Sequence, residues 1–155
     1  MVNIRRAVRS DSESLERLYT QLEKDAVYYQ PEHFVMSGKG ARISDGLFES
    51  DTQAVYVAEV GGEVVGFVHI LLMESKNIAC LKREKNVYIQ DMVVDEKYRS
   101  KGTGTLLMGA VKQYGRDHGA SFVRTQVFPK NEDGLRFYRR NGFEVTMLTV
   151  EVPLG

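Results

Sequence analysis

The chain has a single cysteine, Cys80, no excess of either charge and no apolar run long enough to cross a bilayer. Each shortage removes a class of protein. One thiol excludes an internal disulfide framework and leaves zinc without its usual cysteine partners, so no metal is expected. Lysine plus arginine and aspartate plus glutamate both number 21. That balance gives no global field for nucleic acid or an anionic membrane, and neither is expected as a partner. The opening MVNIRRAVRSDSES has no apolar h-region, so a cytoplasmic location is the expectation. What is present is ordinary globular composition, 43% hydrophobic and 27% charged over 155 residues. One domain with one core, residues 1–155, is expected.

Residues 86–119, NVYIQDMVVDEKYRSKGTGTLLMGAVKQYGRDHG, organise the rest. Residues 87–94 cluster apolar, β-branched and aromatic side chains as a buried strand does, 95–101 turn polar, and 102–118 carry apolar residues at helical spacing. Strand, loop, helix is the reading, with Leu106, Leu107, Ala110, Val111 and Tyr114 on the buried face of the helix. At the loop–helix junction Gly102 and Gly104 stand two residues apart, so main-chain N–H groups can approach an anion without interference from Cβ. The helix N-terminus adds unsatisfied donors, Arg99 and Lys101 add charge, and Thr103 and Thr105 add hydroxyls. The pattern suits a phosphate or pyrophosphate cradle; a glycine-softened loop before an ordinary helix is the bland alternative. No Gly-Lys-Ser or Gly-Lys-Thr follows, and Leu107 stands where a dinucleotide fingerprint needs its third glycine, which disfavours both of those loops.

In chain order, residues 2–8 read as a first strand. A helix over 12–26 follows, capped by Asp11 or Ser12, with Leu15, Leu18, Tyr19 and Leu22 at helical spacing. Residues 28–41, broken by Pro31, Gly38 and Gly40 yet rich in aromatics, read as a packed lip. A short second helix is expected over 43–49. Residues 54–60 and 64–73, joined by Gly61-Gly62, specify an antiparallel hairpin. Residues 75–85 read as a basic loop or a strand extension containing Cys80. Gly119 caps the central helix, 121–128 form a strand, Asn131 caps a helix ending at Arg140, Asn141-Gly142 stops it, and 143–152 form a last strand.

The loop Arg99-Ser100-Lys101-Gly102-Thr103-Gly104 resembles the R/Q-x-x-G-x-G/A pyrophosphate loop of the GNAT superfamily, N-acetyltransferases that use acetyl-coenzyme A. Asn131 and the run Phe137-Tyr138-Arg139-Arg140-Asn141-Gly142-Phe143 are similar to that family's N-x-x-A-x-x-F-Y-x-x-x-G-F. The resemblance covers nearly the whole chain and implies an α/β (α+β) fold: one mixed, mostly antiparallel sheet, about four flanking helices and splayed central strands. It departs from the family at Gly134, usually alanine, and at Ser100 and Thr103.

The resemblance further implies that main-chain groups of Met92, Val93 and Val94 hold the pantetheine arm of acetyl-coenzyme A and that an N–H there polarises the thioester. The loop residues Arg99, Ser100, Lys101, Gly102, Thr103, Gly104 and Thr105 would hold its pyrophosphate, and Asn131 the pantetheine. Tyr138 is the family position for the acid that protonates the departing thiol, and a phenol of pKa about 10 suits a thiolate near 8.5. Asp91, beside Met92, is the candidate base and a docking point for a cationic amine. Glu32 and His33 in the lip and His69 on the hairpin compete with it, and a lone histidine on a strand such as His69 is more often structural. Tyr28, Tyr29 and His33 in the lip, with Asp91, lean toward a small primary amine as acceptor. Direct attack in a ternary complex is expected, not acetylation of Cys80. An acyl-coenzyme A sensor without catalysis and a peptide N-acetyltransferase are the alternative readings. Many relatives are dimers, and residues 146–152 suit an exposed or exchanged edge.

Overall fold

A computed structural model describes residues 1–38 and 42–155. Lys39, Gly40 and Ala41, expected in the lip, lie outside the described residues. The strands are β1 (Val2–Arg6), β2 (Gln53–Val60), β3 (Glu63–Glu74), β4 (Lys85–Val94) and β5 (Ala120–Arg124). The helices are α1 (Ser12–Tyr29), α2 (Thr103–Asp117) and α3 (Glu132–Arg140). The five strands form one open sheet in sequence order; β1 to β4 run antiparallel and β5 runs parallel to β4. This is the expected mixed, mostly antiparallel α+β sheet, with three α-helices among the described residues where about four were expected. The short helix expected over 43–49 is a 3-10 turn at Asp45–Glu49. A segment that short, with Gly46 inside it, cannot repay the cost of nucleating an α-helix.

Local chemistry accounts for the boundaries. Gly61 and Gly62 both take positive φ, 57° and 83°, as the tight β2–β3 turn requires. The first helix passes Ala26 and takes in Tyr28 and Tyr29, because nothing stops it before Gln30, which precedes Pro31 and leaves the helical region at φ −140° and ψ 70°. Asp11 occupies the N-cap position of α1 without a side-chain cap bond. Its carboxylate accepts instead from Arg5 Nη1 and Nη2 at 2.8 and 3.0 Å and from the Val8 N–H at 2.8 Å.

The sheet buries both faces. Ala54, Ala58, Val68, Ile70, Val87 and Ile89 pack under Leu107, Met108, Val111 and Tyr114 of α2. Val55, Val57, Phe67 and Val93 pack under Leu15 and Leu18 of α1 and Leu47. In β2 the two sets alternate, the period of two that a strand covered on both faces demands. Leu106, expected on the buried face of α2, is exposed.

The C-terminal part departs most from expectation. Strand β5 stops at Arg124 and not at 128, and no strand forms over 143–152. Gly142 turns the chain at φ 92° and the Phe143 N–H returns to Tyr138 O at 3.0 Å. Beyond it, no backbone hydrogen bond is made. Val145, Met147, Leu148, Val150, Val152 and Leu154 are 60–96% exposed. The segment has the composition of a strand but lies against no strand edge, and without one there is no ladder.

Candidate active site

The β4–β5 ladder is short. Lys85, Asn86, Val87 and Tyr88 face Ala120, Phe122, Val123 and Arg124, and pairing ends there. Strand β4 continues to Val94 while the chain after Arg124 leaves it, so the two part as a V, the expected splay. At the fork Thr125 Oγ1 donates to Ile89 O at 3.0 Å. Met92, Val93 and Val94 lie on the open limb, where a strand edge without a ladder leaves main-chain groups for an extended ligand. The Val94 carbonyl is already engaged by Arg99 Nε at 2.8 Å.

Beside the fork the β3–β4 register slips. His69 faces Asp91 but Ile70 faces Ile89, which makes Gln90 the extra residue of a bulge; bulges re-aim the side chains next to them. The Asp91 carboxylate accepts from Tyr19 Oη at 2.9 Å, and His69 Nδ1 lies 3.8 Å from it. His69 Nε2 donates to Gln53 Oε1 at 2.8 Å, and its Nδ1 is buried without a hydrogen bond. Burial first, and then the Asp91 charge and hydrogen bond, hold the Tyr19 phenol far above its ordinary pKa. Tyr19 is therefore a neutral donor steadying the Asp91 carboxylate.

Tyr138 stands across the fork on α3, half-buried, its ring 5.2 Å from those of Phe137 and Phe143. Burial pushes its phenol up to about 12, a rise opposed by the neighbouring Thr125 hydroxyl and reinforced by Tyr88. Tyr88 Oη donates to Gln126 Oε1 at 3.1 Å, and burial and then the Asp91 charge raise its own phenol. Tyr88 thus lies within electrostatic reach of both Asp91 and Tyr138.

At the start of α2, Gly102 is left-handed at φ 83° with open space where a Cβ would be, and Ser100 is left-handed at φ 62°. The first N–H to bond back into the helix is that of Leu106, to Gly102 O at 3.1 Å. Those of Thr103, Gly104 and Thr105 make no hydrogen bond and are free for an anion. Gly104 has a second reason to be glycine: a Cβ there would lie 2.9 Å from Phe137 Cε1, so its absence lets α2 pack on α3. Thr103 is buried, while Ser100, Lys101 and Thr105 are exposed. Lys101 Nζ sits 5.7 Å from the Tyr98 ring centroid, and Arg99 Nη2 is 3.8 Å from Asp25 Oδ2.

Asn131 caps α3, its Oδ1 accepting from the Gly134 N–H at 2.9 Å and from Tyr29 Oη at 3.3 Å. Its side chain lies so close over residue 134 that a Cβ there would be 2.5 Å from Nδ2, which accounts for glycine at that position. Tyr29 and His33 line a groove of about 190 Å³ with Phe128, Pro129 and Lys130. His33 Nε2 pairs with Glu151 Oε2 at 2.6 Å, and that hydrogen bond raises its pKa. Tyr28 is 80% exposed and outside the groove, and Asp91 does not line it either. Tyr19, Tyr88 and Thr125 are additions to the expected set. Tyr19 recurs at helical spacing with Leu15, Leu18 and Leu22, and so reads as core from sequence.

The sequence profile described as "Acetyltransferase (GNAT) family" matches residues 12–143. An uncharacterized N-acetyltransferase of Methanocaldococcus jannaschii is 28% identical over 91% of the chain, which spans only 60% of that relative's length. The uncharacterized N-acetyltransferase YhfO of Bacillus subtilis is 30% identical, with 92% of this chain and 90% of that one covered. Mouse thialysine N-epsilon-acetyltransferase is 27% identical over 88% of this chain and 80% of its own. Among solved structures, a mutant of the BH1408 protein of Bacillus halodurans superposes with a TM-score of 0.90 at 25% identity, covering 98% and 99% of the two chains. A parted β4–β5 pair, a helix opening on free N–H groups and a profile match over most of its length agree: the chain belongs to the acetyltransferase (GNAT) family.

Proposed function

We propose that the protein moves an acetyl group from acetyl-coenzyme A to a primary amine of a small molecule by direct attack. The observation that carries this reading is the fork. It opens β4 next to a bulge that presents Asp91 and under a helix that presents Tyr138, so a thioester laid along residues 92–94 has one group on each side. The Arg99–Thr105 loop fits a diphosphate, since three helix N–H groups are free and Gly102 presents bare backbone. The amine nitrogen, uncharged, attacks the thioester carbonyl carbon and forms the C–N bond, while a β4 N–H steadies the oxyanion. Asp91 takes the amine proton, directly or through water, with Tyr19 holding the carboxylate in place. The C–S bond breaks, and Tyr138 delivers its proton to the sulfur.

A phenol at about 12 keeps its proton at every working pH. Burial acts in the same upward direction on a thiolate leaving into the same site, which narrows the gap between the two acids. A small acceptor is supported by the mouse relative, named for acetylating the side-chain nitrogen of thialysine.

The test is titration with acetyl-coenzyme A, followed by thiol release across lysine analogues, polyamines, amino-sugars and peptides. Binding with release that depends on a small amine is expected. Release with peptides alone moves the acceptor class, and binding without release from any acceptor removes catalysis.

A further inference from the structure

The sheet face that bears Asp91 is covered only in part. Helix α1 closes over Phe67 and Val93, and Tyr19 on that helix bonds the Asp91 carboxylate. Farther along the same strands the cover ends: Leu71 and Tyr88 are half-buried and Met73 is 45% exposed. Val87, Ile89 and Val123 pack under α2, so Tyr88 and Arg124, which alternate with them, point to the opposite face. The bulge at Gln90 turns Asp91 onto that face as well. The strand register then sets out a row across it: Gln53, Leu71, Tyr88 and Arg124. The next row contains His69 and Asp91. Along β3 the rows are separated by the step from Leu71 to His69, about 7 Å, and β4 and β5 lie about 4.8 Å apart, so Asp91 and Arg124 stand on a diagonal of about 8 Å.

Arg124 is prepared to hold an anion. Its guanidinium carbon lies 4.7 Å from the Phe122 ring centroid, a contact that fixes the planar fork without using its N–H donors. It is exposed and makes no ion pair among the described residues. No other cation shares its row. A single stacked guanidinium matches a carboxylate bidentately, whereas a doubly charged phosphate would call for a second cation. Between Arg124 and Asp91 the Tyr88 ring and Leu71 offer apolar surface, and the Tyr88 hydroxyl is already turned to Gln126.

We propose that Arg124 binds the carboxylate of the acceptor, which makes the acceptor a zwitterion. Its primary amine lies at Asp91, its carboxylate at Arg124, and a short methylene chain crosses Leu71 and Tyr88. The assignment rests on the acetyl-transfer reading, in which the amine reaches the thioester from the Asp91 side. It places the acceptor on the open sheet face and not in the groove at Tyr29 and His33, which Asp91 does not line.

Two probes separate the parts: ε-aminocaproate carries both charges, and pentylamine the amine alone. Calorimetric titration of the full chain with ε-aminocaproate, in the presence of coenzyme A, should show binding that Arg124→Gln weakens about tenfold or more, with Arg124→Lys in between. In thiol release from acetyl-coenzyme A, kcat/KM should favour ε-aminocaproate over pentylamine by a similar factor, and Arg124→Gln should abolish that preference. The substitution alters one exposed side chain, and an unchanged far-ultraviolet dichroism spectrum checks the fold. The proposal is overturned by no binding of ε-aminocaproate, by equal binding in Arg124→Gln, or by a preference that survives the substitution. Release that is equally fast with pentylamine overturns it too, while leaving the transferase reading intact. If ε-aminocaproate binds through Arg124 and neither amine releases thiol, the site stands and the transferase reading falls.

Discussion

Gly104→Ala separates two reasons for the same glycine. In the structure the new methyl would stand 2.9 Å from Cε1 and 3.1 Å from Cζ of Phe137. Ordinary carbon contacts begin near 3.5 Å, so the ring must retreat by about half an ångström. Overpacking of this size costs about 1–3 kcal/mol, and alanine returns about 1 kcal/mol of helix propensity. The net expectation is a loss of about 0–2 kcal/mol, a fall in melting temperature of a few degrees for a chain of this length. The larger effect should be on turnover, because Phe137 and Tyr138 are adjacent on α3 and a displaced ring shifts the phenol against Thr125. Thermal unfolding, acetyl-coenzyme A titration and kcat are measured for Gly104→Ala, Phe137→Leu and the double variant. Phe137→Leu should relieve much of the damage, giving a coupling energy between the two sites. A Gly104→Ala protein that is more stable, binds acetyl-coenzyme A poorly and shows no coupling to position 137 would refute packing as the reason and assign the glycine to anion approach alone.

Tyr138→Phe is expected to lower kcat by about tenfold or more with acetyl-coenzyme A affinity unchanged; equal kcat would remove Tyr138 from the chemistry. With a phenol at about 12, the wild-type rate should show no alkaline loss from this group up to pH about 11. Asp91→Asn should lower kcat by about tenfold or more, and an unchanged kcat would exclude Asp91 as the base. Stability should fall in acid. The hydrogen bond from Arg5 holds Asp11 below its ordinary 3.8. At Asp95 burial acts upward, but the Lys97 N–H and Arg17 outweigh it, and the result is again lowered. Groups with depressed folded pKa values contribute fully above the unfolded value and lose that contribution as pH falls through the folded one. Urea unfolding should therefore weaken below pH about 4, and Asp11→Asn should flatten that dependence while lowering stability at neutral pH.

The sheet, the hairpin and the central helix were legible because each is written locally: two glycines at a turn, apolar residues at period two or 3.6, Gly119 at a helix end. The loop at Arg99–Gly104 was legible as a motif, yet the motif did not say that Gly104 answers to Phe137, a residue 33 positions away. Gly134 departs from the family's usual alanine, and only the Asn131 side chain lying across it accounts for the glycine. Tyr19 was hidden for a different reason. A tyrosine on the apolar stripe of a helix carries the same signal whether its hydroxyl is idle or, as here, bonded to a carboxylate on β4. The last strand failed because composition states a wish to pair and is silent on the presence of an edge.

The shortness of the β4–β5 ladder has a consequence for how the proposed acid and base are kept in register. Asp91 belongs to a jaw made of β1 to β4 and α1; Tyr138 belongs to a jaw made of β5 and α3, joined to the first by four strand pairings, by the Thr125, Tyr88 and Tyr29 hydrogen bonds and by α2 packed on Phe137. No hydrogen-bonded ladder spans the distance between the two groups, so the sheet does not fix it. On the proposed reading, packing of α2 on Phe137 and the Tyr29–Asn131 bond set that width instead, and an acyl chain too thick for it would spoil the reaction by prying those contacts apart.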